Sequence, residues 1–187
     1  MPVTALDPKT ALIVVDLQKG IAALPCAHPV AGVVERSAAL AQAFRAKGLP
    51  VVLVNVDAVA PGRTQQARAI SAFPPDFTEL LAQLDRQPSD HLVTKRTWGA
   101  FTGTDLEAWL KGQAVTQVVV TGVATSAGVE STARFAHELG FNVTLATDAM
   151  TDMSLEAHEN SVARIFPRMA ETGTTQEILD LLASAQA

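Results

Sequence analysis

The sequence has only one cysteine and no cluster of basic residues, and each shortage excludes a class of protein. The single Cys26 rules out an internal disulfide framework and a metal site built from several cysteines. A net charge of −5 at pH 7, with scattered Lys and Arg, argues against a nucleic-acid partner. No apolar run approaches the length of a membrane span, and the first residues lack the basic and apolar regions of a signal peptide. We therefore expect a cytoplasmic protein with no membrane partner.

The length and composition are those of one compact domain. The chain has 187 residues, of which 48% are hydrophobic and 18% are charged. These fractions favour a globular domain over a disordered chain, and a chain of this length buries roughly 70% of its unfolded surface. We expect a single domain over residues 1–187.

Apolar runs that alternate with helix-like periodicity predict an α/β fold. The runs interpreted as strands are 11–16, 51–56, 91–94, 117–121, 142–146 and a short segment at 168–171. Two of the predicted helices begin at residue pairs with capping-box spacing, which are Thr104 with Glu107 and Thr174 with Glu177. Continuous apolar strands separated by helices are typical of a parallel sheet covered on both faces. We therefore expect a three-layer αβα Rossmann-like fold with a mostly parallel sheet of about six strands.

The segment 58–90 departs from this alternation. It contains four prolines, Gly62 and only one short helical pattern at 79–84. A stretch of this length and composition within a compact domain is typical of a lid or a binding loop.

Polar residues follow several predicted strands at the edge where open α/β sheets bind ligands. These are Asp16, Asp57, Lys95 and the turn 125–128. Asp16 is suited to transfer protons, and Lys95 to hold an anion or to tune the acid. The alternative is that the strand-end acids cap helices and that Lys95 is solvated.

Three segments resemble motifs of the isochorismatase-like (cysteine hydrolase) superfamily. Residues 121–133 read TGVATSAGVESTA and are similar to its nucleophile pattern G-[IV]-A-T-x-x-C-V-x-S-T-A. Residues 14–18 (VVDLQ) and 95–101 (KRTWGAF) resemble its first motif and its K-x-x-x-S-A-F motif. The motifs occur in the family's order, within a resemblance that covers about residues 8–183. In most of the family Asp, Lys and Cys form a catalytic triad; Asp16 and Lys95 match it, and Gly128 replaces the cysteine.

The resemblance implies further features of the site and of the assembly. It implies an isochorismatase-like hydrolase domain, a cis peptide between Val123 and Ala124, an oxyanion hole from the amides of Ala127 and Gly128, and a homodimer or homotetramer. Amides at a helix N-terminus stabilise an anion without needing a side chain. The alternative for Gly128 is a close backbone contact or an unusual φ at the helix start.

Other groups are weaker candidates for the missing nucleophile, for a metal site or for a cofactor site. Ser126 and Thr125 flank the gap but need an adjacent base, and Cys26 has His28 two residues away. No metal is expected, because Asp57 lacks the histidine that follows the second strand in nicotinamidase-type relatives. No cofactor is expected either, because no Gly-rich phosphate loop is present. The histidines lack ligand spacing: His28, His91, His137 and His158.

Three residues are candidate contacts of a small-molecule substrate. Trp98 lies within the Lys95 motif as a potential pocket wall, and Thr125 lies beside Gly128. Arg63 is a candidate anchor for a substrate carboxylate. No motif in the loop 58–90 identifies the substrate.

The resemblance implies hydrolysis without a covalent nucleophile. True isochorismatases of the superfamily also carry Gly at the cysteine position and cleave a vinyl ether to release pyruvate, a reaction for which Asp16 is the expected proton donor. Two positions depart from the family. These enzymes have tyrosine where this chain has Ala124, and the motif has serine where this chain has Gly99. The alternatives are a catalytically silent member that binds a metabolite or serves as an assembly subunit, and an amidase with a substitute nucleophile.

Overall fold

Six parallel strands form one sheet in the computed structural model, which describes residues 2–65 and 73–184. The sheet order is β3-β2-β1-β4-β5-β6, and every neighbouring pair is parallel. The strands are β1 Thr10–Val15, β2 Val51–Val56, β3 His91–Lys95, β4 Gln117–Val123, β5 Asn142–Thr151 and β6 Glu171–Gly173. This arrangement confirms the predicted α/β class and the predicted strand number.

Helices connect the strands and follow the last of them. They are α1 Lys19–Ala22, α2 Val30–Ala46, α3 Leu106–Gly112, α4 Glu130–Glu138, α5 Leu155–Asn160 and α6 Thr175–Ser184. Shorter turns of π-helix lie at Thr125–Val129 and Ser161–Ile165, and turns of 3-10 helix at Ala82–Leu84 and Phe166–Arg168. No helix in these two described stretches is both long and apolar enough to cross a membrane.

Two apolar cores explain why the strands are hydrophobic along their whole length. Ile13 and Val15 of β1 pack on the face covered by α3 and α4. Leu12 and Val14 pack on the opposite face, which α2 and α6 cover. A strand buried on both faces needs apolar side chains at every position, so its sequence does not alternate.

Three local expectations were only partly correct. The helical piece expected at 79–84 is a single 3-10 turn. The last strand lies at 171–173 rather than 168–171, because Phe166–Arg168, which contains a proline, forms a second 3-10 turn. The capping box at Thr174 and Glu177 forms, with both reciprocal hydrogen bonds. At α3, however, Glu107 pairs with Lys111 one turn later instead of reaching back to the cap.

The second half of the 58–90 loop is fixed against the chain that follows β1. The Lys19 amide donates to Glu79 O at 2.8 Å, and the Leu81 amide donates to Leu17 O at 3.0 Å. The Gln18 side chain adds bonds to both backbone groups of Val56 and to Phe77 O. Residues 77–81 are therefore held by hydrogen bonds against residues 17–19, and the interpretation of 58–90 as a lid or a binding loop stays a prediction.

The sheet order places the ends of β1, β3 and β4 near one another. The chain runs outward in one direction from β1 through β2 to β3, and in the other from β4 through β5 to β6. At such a switch point the connections diverge and leave a crevice at the carboxyl edge of the sheet. Asp16, Lys95 and the turn after β4 lie at this edge.

Candidate active site

Asp16 and Lys95 form a buried ion pair at the carboxyl ends of β1 and β3. Lys95 Nζ lies 2.7 Å from Asp16 Oδ2, and the two side chains are only 2% and 7% exposed. Lys95 also donates to Thr97 O at 3.2 Å. Asp16 has a φ of 53°, in the left-handed region that residues other than glycine seldom adopt. The sequence expectation that these two residues meet is confirmed.

Burial dominates the protonation of Asp16. It raises the pKa of this carboxyl from 3.8 to about 6, although the charge and the hydrogen bond of Lys95 both favour the ionised form. Asp16 Oδ1 is buried and has no hydrogen-bond partner among residues 2–65 and 73–184. A carboxyl with one unpartnered oxygen and a pKa near neutrality is suited to hold and transfer a proton.

The turn after β4 depends on Gly122 rather than on Gly128 for its backbone geometry. Gly122 has a φ of 118°, and a Cβ there would overlap the backbone of Val15 on the neighbouring strand. The peptide bond between Val123 and Ala124 is cis, at the position that the family resemblance implied. A π-helical turn from Thr125 to Val129 then leads into α4.

Gly128 faces the ion pair. A Cβ at this position would lie 3.3 Å from Asp16 Oδ2, 3.1 Å from Val15 Cγ1 and 3.3 Å from Val123 O. Its φ lies outside the left-handed region, so the alternative of an unusual φ is wrong, whereas the alternative of a close contact holds. A side chain at this position would therefore crowd the Asp16 carboxyl.

The amides of the turn are partly engaged within the protein. The Ala127 amide donates to Ala124 O at 3.1 Å, so an anion would have to share this donor. The Ser126 amide donates to Asp152 Oδ2 at 2.8 Å, which fixes the start of the turn.

The hydroxyls and the thiol considered as substitute nucleophiles lie outside the cavity at Asp16. The Ser126 hydroxyl donates to Asp152 Oδ2 at 2.7 Å, and the fully buried Thr125 hydroxyl is hydrogen-bonded to His158 Nδ1 at 2.8 Å. Burial, with the charge of Asp152, raises the pKa of the Cys26 thiol, which opposes thiolate formation. None of these three residues lines the cavity.

A cavity of about 180 Å³ lies over Asp16, Lys95 and Gly128. Trp98 lines it and is 60% exposed, in agreement with its predicted role as a pocket wall. Arg63 is exposed, and the structure does not bring it to the cavity. The larger apolar side chains that line it besides Trp98 are Ile21, Leu24, Val56, Val59, Val123 and Met153.

A larger cavity of about 690 Å³ lies beside α2, but it contains neither Asp16 nor Lys95. Volume alone does not identify a site, and we assign the function to the smaller cavity because it holds the acid and the cation together.

Two features of the site had no counterpart in the sequence interpretation. Asp152 anchors the turn through Ser126, and Met153 lines the cavity mouth. Strand β5 was expected to end at 146 but continues to Thr151 after an irregularity in its pairing with β4. The available signal was a polar residue directly after a strand, since Asp152 follows the last residue of β5, Thr151.

The described residues provide no cluster of three or more His, Cys, Asp or Glu side chains arranged to hold a metal ion. Asp57, the other acid at this edge, pairs with Arg96 at 3.3 Å.

Comparison with known proteins gives consistent similarities. A model of the isochorismatase domain matches residues 10–177. The isochorismatase family protein YecD of Escherichia coli O157:H7 is 43% identical over 182 residues, which cover 92% of this chain and 96% of that protein. The ureidoacrylate amidohydrolase RutB of Methylobacterium radiotolerans is 32% identical over 194 residues, with 86% of this chain and 75% of that protein covered. Among solved structures, an isochorismatase family protein from Burkholderia thailandensis superposes with a TM-score of 0.93 at 37% identity, covering 96% of this chain and 98% of that one.

Proposed function

Because the chain belongs to the isochorismatase family of hydrolases, we propose that it hydrolyses a small carboxylate-bearing metabolite without a cysteine nucleophile. Vinyl-ether hydrolysis is the favoured reaction. The observation that carries the proposal is the buried Asp16 carboxyl, which has an unpartnered oxygen and faces Gly128 rather than a thiol.

The proposed reaction needs one proton donor and one water molecule. Asp16 gives its proton to the terminal carbon of the enol ether, and the neighbouring carbon becomes an oxocarbenium ion. Water adds to that carbon and returns a proton to Asp16, and the resulting hemiketal breaks its bond to the alkoxy group, which leaves as an alcohol. The products are a ketone and an alcohol, and no acyl-enzyme forms.

Lys95 has two effects that must be reconciled. Its positive charge 2.7 Å from Asp16 opposes protonation of the acid. A substrate carboxylate that engages Lys95 would offset this charge and thereby favour the protonated Asp16. Lys95 thus takes the anchoring role that was expected of Arg63, since Lys95 lines the cavity and Arg63 does not. In this proposal the Gly128 amide is a further donor to the same anion, whereas the Ala127 amide would be shared with Ala124 O.

Replacement of Asp16 tests the proposal. A panel of vinyl ethers carrying one or two carboxylates, together with small amides, is assayed with wild type, Asp16→Asn and Asp57→Asn. We expect Asp16→Asn to lower vinyl-ether turnover about 10²–10⁴-fold, because it removes the proton donor. Asp57→Asn is the matched control, since this strand-end acid pairs with Arg96. Vinyl-ether turnover that Asp16→Asn leaves unchanged would sink the proton-donor role.

Two alternatives lead to different outcomes of the same panel. A catalytically silent metabolite-binding member, favoured by the loss of the nucleophile at Gly128, would bind carboxylates but turn over none of the panel. An amidase with a substitute nucleophile would cleave amides and show an acyl-enzyme by intact mass spectrometry. The position of the Ser126 and Thr125 hydroxyls outside the cavity argues against the amidase.

The proposal includes a cytoplasmic location and a homodimer or homotetramer, as the family resemblance implies. Light scattering coupled to size-exclusion chromatography measures the oligomeric state directly.

A further inference from the structure

The lining of the cavity at Asp16 has a charged part and an apolar part. Asp16 and Lys95 lie together, each almost fully buried, and the Thr97 carbonyl accepts from Lys95. The surrounding wall is apolar, and its outer members are partly exposed around the mouth: Leu24 at 36%, Met153 at 49%, Val59 at 55% and Trp98 at 60%. Lys95 is the only cation among the described residues that line the cavity.

Two cations that are close in sequence to lining residues of the cavity, Arg96 and Lys19, are paired with acids. Arg96 lies 3.3 Å from Asp57, and Lys19 pairs with both Asp76 and Glu79. Neither cation is among the residues that line the cavity. An anionic group on the outer part of a ligand would therefore meet apolar side chains.

This distribution has a consequence for the charge of the ligand. One carboxylate that enters the cavity can pair with Lys95, because a protonated Asp16 no longer neutralises the charge of that lysine. A second carboxylate on the same ligand would lie against the half-exposed side chains of Leu24, Val59 and Met153, where it would lose part of its hydration without gaining a partner. Partial loss of hydration with no compensating partner disfavours the doubly charged ligand.

We propose that the substrate carries a single carboxylate on an apolar body, and that the apolar mouth formed by Leu24, Val59, Trp98 and Met153 selects against dicarboxylates. The inference rests on the proposed function, since it assigns the substrate class of the same site. A vinyl ether with two carboxylates, such as isochorismate, is then a poor ligand, whereas a monocarboxylate analogue is a good one.

Binding of two matched aromatic acids tests this selectivity. The probes are meta-acetylbenzoate and isophthalate, which have similar size and shape but carry one and two carboxylates. Isothermal titration of the full-length protein is expected to give at least about tenfold tighter binding of meta-acetylbenzoate.

A gain-of-function variant places the selectivity at the cavity mouth. Met153→Arg adds a cation to the apolar wall, and we expect it to tighten isophthalate binding about fivefold while changing meta-acetylbenzoate binding less than about twofold. Leu155→Arg is the matched control. It adds the same charge two residues away, at a side chain that is also 49% exposed but does not line the cavity, and it should alter neither affinity.

The outcomes decide the inference independently of the reaction. Isophthalate binding as tight as that of meta-acetylbenzoate in the wild type overturns it. So does a failure of meta-acetylbenzoate to bind at up to about 10 mM, or an equal effect of Met153→Arg and Leu155→Arg. Failure of the proposed function would instead appear as turnover that does not depend on Asp16, with the binding preference intact.

Discussion

At the scale of single residues, Asp16 is governed by two opposing influences. Burial favours its neutral form, and Lys95 at 2.7 Å favours its ionised form. Burial prevails, and the pKa of the carboxyl rises to about 6. The acid is thus protonated in a useful fraction of molecules close to neutral pH, which an exposed aspartate is not.

This pKa determines the pH dependence of the reaction. If the acid form of Asp16 is required, kcat/KM for a vinyl ether should be constant below the pKa of about 6 and should fall above it. The fall should approach about tenfold per pH unit, because the protonated fraction declines by that factor. The measurement is a pH profile of kcat/KM for wild type and Asp57→Asn, which should share the falling limb. A kcat/KM that rises with pH through this range would show that the base form is the active one.

The pairing of Asp16 with Lys95 was predictable from sequence, but the surroundings of the pair were not. Both residues follow apolar runs, and parallel strands bring their carboxyl ends to one edge. Arg63 and Thr125 were expected to contact the substrate, yet Arg63 is exposed and Thr125 is buried against His158. Side-chain direction within a loop or turn depends on tertiary hydrogen bonds, which local sequence does not encode.

At the scale of elements, the contact between β1 and β4 depends on one glycine. A Cβ at Gly122 would overlap the Val15 backbone, and its φ of 118° disfavours any other residue. The register of these two central strands pairs Val15 with Gly122 directly, one residue before Asp16. The position of Asp16 is therefore linked to the absence of a side chain on β4.

Replacement of Gly122 should be far more harmful than replacement of a glycine in open space. We expect Gly122→Ala to lower the free energy of unfolding by about 3 kcal/mol or more, through strain and backbone displacement. Gly112→Ala, at the end of α3 where nothing lies within 4 Å, should change it by less than about 1 kcal/mol. Urea unfolding of both variants measures the difference. Equal stability of the two variants would refute the close-approach argument.

Element boundaries explain what the sequence interpretation missed. The apolar run 142–146 predicted the start of β5 correctly, but the strand resumes pairing with β4 at Met150 and Thr151 after an irregularity. The extra length brings Asp152 to Ser126 and places Met153 at the cavity. An irregular strand pair depends on its neighbours, so hydrophobic periodicity gave no sign of it.

At the scale of the whole molecule, the sheet order joins two halves of the chain at one crevice. Asp16 and Lys95 come from the half that contains β1, β2 and β3, and the turn at Gly128 comes from the half that contains β4, β5 and β6. The parallel sheet covered on both faces was predictable because its strands are apolar along their whole length, whereas the strand order was not predicted. Lys95, the acid and the turn therefore line one cavity, and a ligand bound there would lie beside all three.

A carboxylate bound at Lys95 should leave Asp16 protonated and able to donate a proton. The most direct test is the NMR chemical shift of the Asp16 carboxyl carbon, followed through a pH titration with and without benzoate and assigned with Asp16→Asn. We expect a pKa of about 6 for Asp16 in the free protein and a higher value with benzoate bound, because the anion offsets the charge of Lys95. An Asp16 pKa near the ordinary value of 3.8 in both states, or one that benzoate lowers, would contradict this expectation.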